Sequence, residues 1–554
     1  MYLVSRQIKG HRYWYLREKA KVGGTWKISH EEYVGSDAQL VERLRSRTLD
    51  LRSVQVHTET FGELAAILDA DQDLGLSETI TRITGSPITA QTLLAFLAGR
   101  AHEPVSKRGM RGWYGRSALR YLRPNRPSLS SRAYLYHMDK LSDERVEAIT
   151  YALGQRMAGN GYTPSLVFFD STNFSTEQDP RPGDPERQLP RAGHAKDGNR
   201  QAKLVGLATA TTEQHLPAFH RVYPGNKNDA RLFREVIGGM VGTLVKLGAK
   251  AENLCFVFDK GMNSKPGWAA LTGAKVHFLT SVKRSQVADL MSLPLTKFRK
   301  AYATKQEEEI RTYRQERRVM GVKGVVVVAY NESARKRQVE DYARAKARFL
   351  TEGGKIVESS GKRHRGRPPT VAGTTRRIIA LIPEKWVKVF RFHVGPTLDE
   401  GFPRLKVRVW VDERAEREKE EGFGRTVIFT DREDWDDERI ARTYYARSEM
   451  EEDYHVLKDV LLFPVMPILH RKDRRVKVHA FLCVMGLLIY RWIQLKVEKA
   501  TKRHVPMGAL IQRLRSIRLA ALRQESREGV VFKLEEGADP ELLEALKITA
   551  RVPS

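Results

Sequence analysis

Apolar and polar positions change their spacing several times along the chain, and each change predicts a different kind of element. Residues 1 to about 58 alternate short β-type runs with turns such as Val22-Gly23-Gly24-Thr25, the pattern of a small β-hairpin module. From Phe61 the pattern becomes helical, through Leu64-Ala65-Ala66-Ile67-Leu68 and Leu93-Leu94-Ala95-Phe96-Leu97. Short apolar, β-prone runs return at 165–169, 204–208, 217–223, 254–258 and 278–282, with a helical stretch at 229–247 before the fourth. Further strand signals stand at 325–330, 377–382, 386–390 and 406–410, broken by a charged helix from about 332 to 350. A run at 426–430 then leads into helical sequence from 435 to 458 and an apolar helix after it.

Two of the runs stop at an acid. Ser165-Leu166-Val167-Phe168-Phe169 ends at Asp170, and Leu254-Cys255-Phe256-Val257-Phe258 ends at Asp259, so each acid is expected at a strand's exit. Buried strands side by side would bring such carboxylates close together, where they repel unless a cation neutralises them; hard divalent sites with oxygen ligands arise this way. The plainer reading is an Asp that caps the turn after its strand.

A third acid lies in Tyr444-Tyr445-Ala446-Arg447-Ser448-Glu449-Met450-Glu451-Glu452-Asp453-Tyr454-His455-Val456-Leu457-Lys458. On a continuous helix at 100° per residue, Tyr444, Arg447, Glu451, His455 and Lys458 project within an arc of roughly 80°, with Glu449 and Asp453 on the other side. One face then carries a carboxylate between two cations, which by itself is also what a salt-bridged solvated helix would show.

Asp170, Asp259 and Glu451, on two strands and a helix in that order, resemble the DDE triad of the ribonuclease-H-like transposases and integrases. Tyr444-x2-Arg447-x3-Glu451-x6-Lys458 reproduces the YREK signature of bacterial insertion-sequence transposases of the family four group. The surrounding sequence is similar to the "sixteen thirty-four" branch: Lys9-Gly10-His11-Arg12-Tyr13-Trp14-Tyr15-Leu16, Lys196-Asp197-Gly198 before a strand, and Pro224-Gly225-Asn226-x2-Asp229. The aromatic that usually follows the arginine is replaced by Ser448.

The resemblance implies an α/β chain with a ribonuclease-H-like catalytic domain, interrupted by a mostly β insertion. It also implies two Mg²⁺ ions per site on Asp170, Asp259 and Glu451, with Mn²⁺ able to substitute, and a DNA-end phosphate held by Tyr444, Arg447 and Lys458. Cut-and-paste chemistry through a hairpin intermediate, and two subunits joining two element ends, follow from the resemblance alone.

Composition points the same way. There are 96 Lys plus Arg against 67 Asp plus Glu, a formal charge of +29, spread over folded-looking sequence, which favours nucleic acid over a membrane surface as partner. Between Arg100 and Arg132 the basic residues, Lys107, Arg108 and Arg111 among them, are interleaved with Trp113, Tyr114 and Tyr121 and a single acid, Glu103. That suits phosphate contact; a helical pair with a solvated basic face would look the same. Arg365-Gly366-Arg367-Pro368 matches the core of an AT-hook, where two arginines enter a narrow minor groove, and also suits a basic loop. Cys255 and Cys483 sit in apolar runs as core residues, and no Cys/His spacing fits a zinc finger. The longest apolar run, 480–490, is too short to span a bilayer, and no charged-then-apolar leader opens the chain, so a cytoplasmic, nucleoid-associated protein is expected.

The expected organisation is therefore an N-terminal β module (1–58), a helical DNA-binding module (59–158), the first part of the catalytic domain (159–285), a mostly β insertion (286–425), its second part (426–497) and a C-terminal helical tail (498–554). The expected activity is Mg-dependent cleavage and strand transfer on double-stranded DNA, at terminal inverted repeats and target. A catalytically silent DNA-binding derivative, or a nuclease of the same fold, remains the alternative. Asp197 and Glu452 are the competing acids.

Overall fold

The computed structural model describes residues 2–22, 25–46, 54–124, 128–193, 203–304, 307–362, 369–399, 402–458, 465–524 and 530–553. The chain forms two compact units: 1–69, 111–126 and 496–554 make one, and 70–110 with 127–495 make the other.

The larger unit is built on a mixed sheet of ten strands among the described residues. In chain order these are β1 (Leu166–Thr176), β2 (Arg191–Ala192), β3 (Lys203–Thr212), β4 (Pro217–Pro224), β5 (Cys255–Phe258), β6 (His277–Ser281), β7 (Arg299–Ala303), β8 (Glu309–Val319) and β9 (Val322–Asn331). A separate hairpin of β10 (Phe390–Asp399) and β11 (Phe402–Val411) follows, and β12 (Arg425–Thr430) returns to the sheet. The order across it is β7-β8-β9-β12-β6-β5-β1-β3-β2, with β4 also on β3. β1, β3 and β4 form an antiparallel meander, whereas β5 runs parallel to β1 and β6 parallel to β5.

Both faces of the sheet are covered, which is why its central strands read as unbroken apolar runs. One face packs on α5 (Asp229–Lys246) and α6 (Lys265–Gly273) through Phe169, Phe256, Phe258 and Phe278 against Phe233, Ile237 and Trp268. The other, through Phe168, Val257, Leu279, Val327 and Ile428, meets Trp435, Ile440, Ala441 and Tyr444 around α9 (Asp437–Ala446). Caps fix where these helices begin: Asn228 accepts from the Ala230 and Arg231 N–H groups, and Asp436 from Arg439 N–H. Four more helices of this unit precede β1, namely α1 (Leu76–Thr84), α2 (Pro87–His102), α3 (Ser131–Asp139) and α4 (Asp143–Gly159).

The insertion differs from its expected mostly β character. The valine run at 325–328 is buried on both sides and lies inside the main sheet as part of β9, paired with β12. Between β9 and β12 stand one 30-residue helix, α7 (Glu332–Gly361), a second, α8 (Val371–Ile379), the β10–β11 hairpin and a short helix, Glu413–Glu420. The strand expected at 377–382 is instead the end of a helix, to Ile379, followed by a turn at 380–382, because Thr370 caps Gly373 N–H and the buried residues, Thr374 and Ile378, are spaced by four. At 386–390 a 3-10 turn, Glu384–Trp386, precedes β10, which begins only at Phe390.

In the smaller unit, three antiparallel strands (Tyr2–Ile8, His11–Val22, Thr25–Ser36) lead into a helix, Asp37–Ser46. The strand Val54–Thr60 does not join them. It pairs instead with Arg518–Gln524, which also pairs with Val531–Leu534, so the stretch expected as a helical tail contains two strands besides the helices Met507–Ser516 and Pro540–Ala545. Only Leu519 and Ala521 alternate inward on that strand, too weak a period-2 signal to read in advance. Gly62 allows the approach: a Cβ there would stand 2.6 Å from both Ile517 Cβ and Leu514 O.

Candidate active site

Parallel pairing of β1 with β5 sets Leu166 opposite Cys255, Val167 opposite Phe256 and Phe168 opposite Val257. Two residues further along each strand, Asp170 and Asp259 come level on neighbouring strands, about 5 Å apart along the hydrogen-bonding direction. Alternation puts both on the face of Phe168 and Val257, the one that α9 covers. Asp259 does stand at its strand's exit, before the turn Lys260–Met262. Asp170 does not: β1 continues to Thr176 in its antiparallel ladder with β3, where Asp170 faces Thr209, and only the pairing with β5 ends near the acid. The apolar period stops at Phe169, but a ladder needs only backbone partners.

Each carboxylate is half-buried and held by a donor. Ser171 N–H donates to Asp170 Oδ1 at 2.7 Å, and Ser281 Oγ, on β6, donates to Asp259 Oδ1 at 3.1 Å. Tyr444 is buried beside them: burial raises its phenol pKa and the Asp259 charge adds to this, against a hydrogen bond with Ser281 and the charge of Arg447. The Arg447 guanidinium carbon lies 5.7 Å from the Tyr444 ring centroid. Tyr444, Arg447, Ser281 and Asp259 are thus one cluster.

The signature segment is not one continuous helix. α9 ends at Ala446, Arg447 caps it by donating to the Tyr444 and Tyr445 carbonyls, and α10 (Ser448–Lys458) begins after it. Ser448, standing where the resembled family has an aromatic, donates its hydroxyl to Tyr445 O at 2.8 Å, a side-chain bond that competes with helical continuation. Arg447 keeps right-handed helical dihedrals (φ −56°, ψ −25°), so the interruption is one residue long and the 100° projection holds within each helix.

α10 is pinned at two points. Tyr454 is buried, and its hydroxyl bonds Asp170 O and Thr209 Oγ1, each at 2.8 Å. Burial pushes this phenol well up, with the Asp170 charge in the same direction. Asp453 is equally buried and accepts from Arg491 Nε at 2.7 Å, from α11 (Asp473–Thr501); Arg491 Nη1 also donates to Gln494 Oε1 at 2.8 Å. Further along, Lys458 Nζ sits 6.0 Å from the ring centroid of Phe174 on β1, and His455 is exposed. Position 451 lies on α10 one turn before Tyr454 and two turns before Lys458; the Glu451 side chain, like those of Glu449 and Glu452, lies outside the described residues.

Among the described residues no group of three His, Cys, Asp or Glu is close enough to hold a metal ion. Asp170 and Asp259 supply two hard oxygen ligands on adjacent strands, a donor set that fits a divalent cation completed by further oxygens. Of the remaining candidates, Lys107 and Arg108 belong to the larger unit and Arg111 to the smaller. Lys107 is half-buried and its pKa lowered by burial, with Arg108 and Arg475 contributing; Arg108 and Arg111 are exposed. Arg365, Arg367 and Asp197 lie outside the described residues. Sequence reasoning missed Ser281, Tyr454 and the Asp453–Arg491 pair. The only advance signal was polar side chains where packing should be apolar: Ser281 in a strand, Tyr454 beside the apolar Val456 and Leu457.

A family model described as the transposase DDE domain matches residues 161–489, more than half of the chain. The chain belongs to the DDE transposases. Members of this family are polynucleotidyl transferases or nucleases and generally use divalent metal ions. Among solved structures, this transposase matches the Mos1 transposase paired-end complex with left transposon end at 12% identity, over 31% of this chain and 58% of that one, with a TM-score of 0.15. No curated protein matches it. The match with the DDE domain begins just before β1 and ends within α11, so it takes in Asp170, Asp259 and the whole of α9 and α10. α11 is long and apolar enough to cross a membrane by length and composition, but 94% of its most apolar 18-residue window is buried inside the protein.

Proposed function

We propose that the chain is an insertion-sequence transposase of the family four group, in its "sixteen thirty-four" branch, that cleaves and joins element ends with Asp170, Asp259 and Glu451 as its catalytic acids. The observation that carries this reading is the level placement of Asp170 and Asp259 on adjacent parallel strands, beneath Tyr444 and Arg447. The order β4-β3-β1-β5-β6, an antiparallel meander followed by two parallel strands, supports a ribonuclease-H-like core.

In this reading the three acids hold two Mg²⁺ ions, for which Mn²⁺ can substitute; the bound ions supply activation of the attacking oxygen and stabilisation of the leaving one in an in-line displacement. The chain's own side chains do the positioning. Ser281 and the Ser171 N–H fix one oxygen each of Asp259 and Asp170, which orients the remaining lone pairs. Tyr444, kept protonated by burial, presents a hydroxyl, and Arg447 and Lys458 take the end phosphate as charge-assisted donors. Lys107, Arg108 and Arg111 would meet duplex phosphates, and Arg365 and Arg367 a minor groove. The hairpin route, a dimeric synapse of two ends and a cytoplasmic, nucleoid-associated location complete the reading.

The test is to incubate the full chain with Mg²⁺ and linear DNA carrying the inverted repeats that flank its reading frame. Strand cleavage at the repeat ends, followed by joining to target DNA, is expected. Cleavage without joining would assign a nuclease, and binding without cleavage a silent derivative.

A further inference from the structure

The N-terminal three-stranded sheet has two unlike faces. Register and alternation place Tyr2 with Arg17, Val4 with Tyr15 and Arg6 with Tyr13 on one side, continued by Tyr33 opposite Tyr15 and Ile28 opposite Lys19. The other side carries Trp14, Leu16 and Gly35, and the helix Asp37–Ser46 lies over it. Trp14 Nε1 donates to Asp37 Oδ1 at 2.5 Å, and Gly35, at φ +128°, stands so close that a Cβ would meet Gln39 at 2.7 Å.

On the uncovered side the tyrosines form a continuous patch. Tyr33 is 5.5 Å from Tyr15 and 6.1 Å from Tyr13 between centroids, and Tyr33 is 51% exposed. Cations sit over the rings, Arg6 at 5.2 Å from Tyr15 and Lys19 at 5.7 Å from Tyr2. The acid on this side, Glu31, is bonded by Arg17 and lies 3.5 Å from Arg6, so Arg6, Arg17 and Lys19 leave the face net positive. Residues 1–46 as a whole hold nine Lys or Arg to five acids.

Resting on the transposase reading for the choice of ligand, we propose that this face binds double-stranded DNA, as a surface separate from the catalytic carboxylates. The outer strand axes lie about 10 Å apart, so the face is wide enough to reach phosphates on both sides of a major groove about 12 Å wide. The rings already contact one another and carry cations on their faces, so what they turn outward is hydroxyls and guanidinium donors. Those suit phosphates and groove edges of a duplex better than bases stacked between rings.

The full chain carrying Asp170→Asn, which separates binding from cleavage, is titrated against a labelled duplex of the element end, a scrambled duplex and the single strand, each at several salt concentrations. Arg6→Ala and Tyr33→Ala together should weaken duplex binding about tenfold, and Arg6→Ala alone should lower the slope of log affinity against log salt by about one. Arg12→Ala, which removes the same charge from the opposite face, should change affinity less than twofold. Both test residues are about half exposed, so a circular dichroism spectrum equal to the parent's is expected. Unchanged affinity and slope in Arg6→Ala, or an equal loss in Arg12→Ala, would overturn the proposal, and a loss confined to the single strand would overturn the choice of duplex. If the unmutated chain fails to cut the same duplex in Mg²⁺, the functional reading falls while the binding comparison still decides the role of the sheet.

Discussion

Tyr454 is the residue on which the geometry of the site turns. It reaches from α10 to the backbone of the strand that bears Asp170, and its two hydroxyl bonds fix the distance between them. Tyr454→Phe removes only the oxygen, leaving Thr209 and the Asp170 carbonyl each short of one partner. A loss of about 1–3 kcal/mol in stability is expected, measurable by denaturant unfolding. If Tyr454 positions the catalytic helix, cleavage should fall by at least tenfold and require more Mg²⁺ for half-maximal rate, while end-DNA affinity stays near the parent's. A normal Mg²⁺ dependence with reduced stability would leave Tyr454 a packing residue only. Ser281→Ala should act in the same direction through Asp259, since it withdraws the hydroxyl that orients that carboxylate.

At the scale of elements, α10 is held to α11 by a nearly fully buried pair: Asp453 and Arg491 side chains are each 4% exposed. Removing one member leaves the other charge buried. Asp453→Ala should cost about 3–5 kcal/mol, whereas replacing both residues by apolar ones of similar volume should cost much less; a double-mutant cycle in urea checks this. The strands that bear Asp170 and Asp259 were legible in the sequence because runs such as Leu254-Cys255-Phe256-Val257-Phe258 are buried on both faces and cannot be read as surface helix. Both strand acids were legible for the same reason, as the first charge after such a run. The break at Arg447 was not, since it depends on the Ser448 hydroxyl finding the Tyr445 carbonyl, a bond that spacing does not encode. Nor was α8, whose Arg-Arg-Ile-Ile ending looks β-prone until Ile378 is seen to be buried one turn after Thr374. The pairing of Val54–Thr60 with Arg518–Gln524 joins segments more than 450 residues apart, beyond any local pattern.

Over the whole molecule, charge and pH set the conditions under which the protein works. Its net +29 predicts DNA binding that weakens steeply with salt, a slope set by the number of phosphates engaged. Stability should fall on acidification well before the carboxylates titrate. Burial, followed by the charges of Lys107, Arg100 and Arg475, lowers the His470 pKa to about 3, and His479 is held well below its usual value for the same leading reason. Both are therefore neutral in the fold, and the unfolded chain takes up protons first. The stability they contribute is complete above about pH 6.5 and is lost as pH falls through the window between there and about 3. At pH 5 the loss from His470 is about 2 kcal/mol, and His470→Gln should flatten the dependence of melting temperature on pH between 7 and 5. The most direct test of the central claim is Mg²⁺-dependent cleavage of end-bearing DNA by Asp170→Asn, Asp259→Asn, Glu451→Gln and Glu449→Gln side by side, with binding to the same DNA measured for each. The first three should bind within about tenfold of the parent and cut nothing, while Glu449→Gln keeps most of the activity; cleavage by Asp170→Asn or Glu451→Gln at the parent's rate would contradict the assignment.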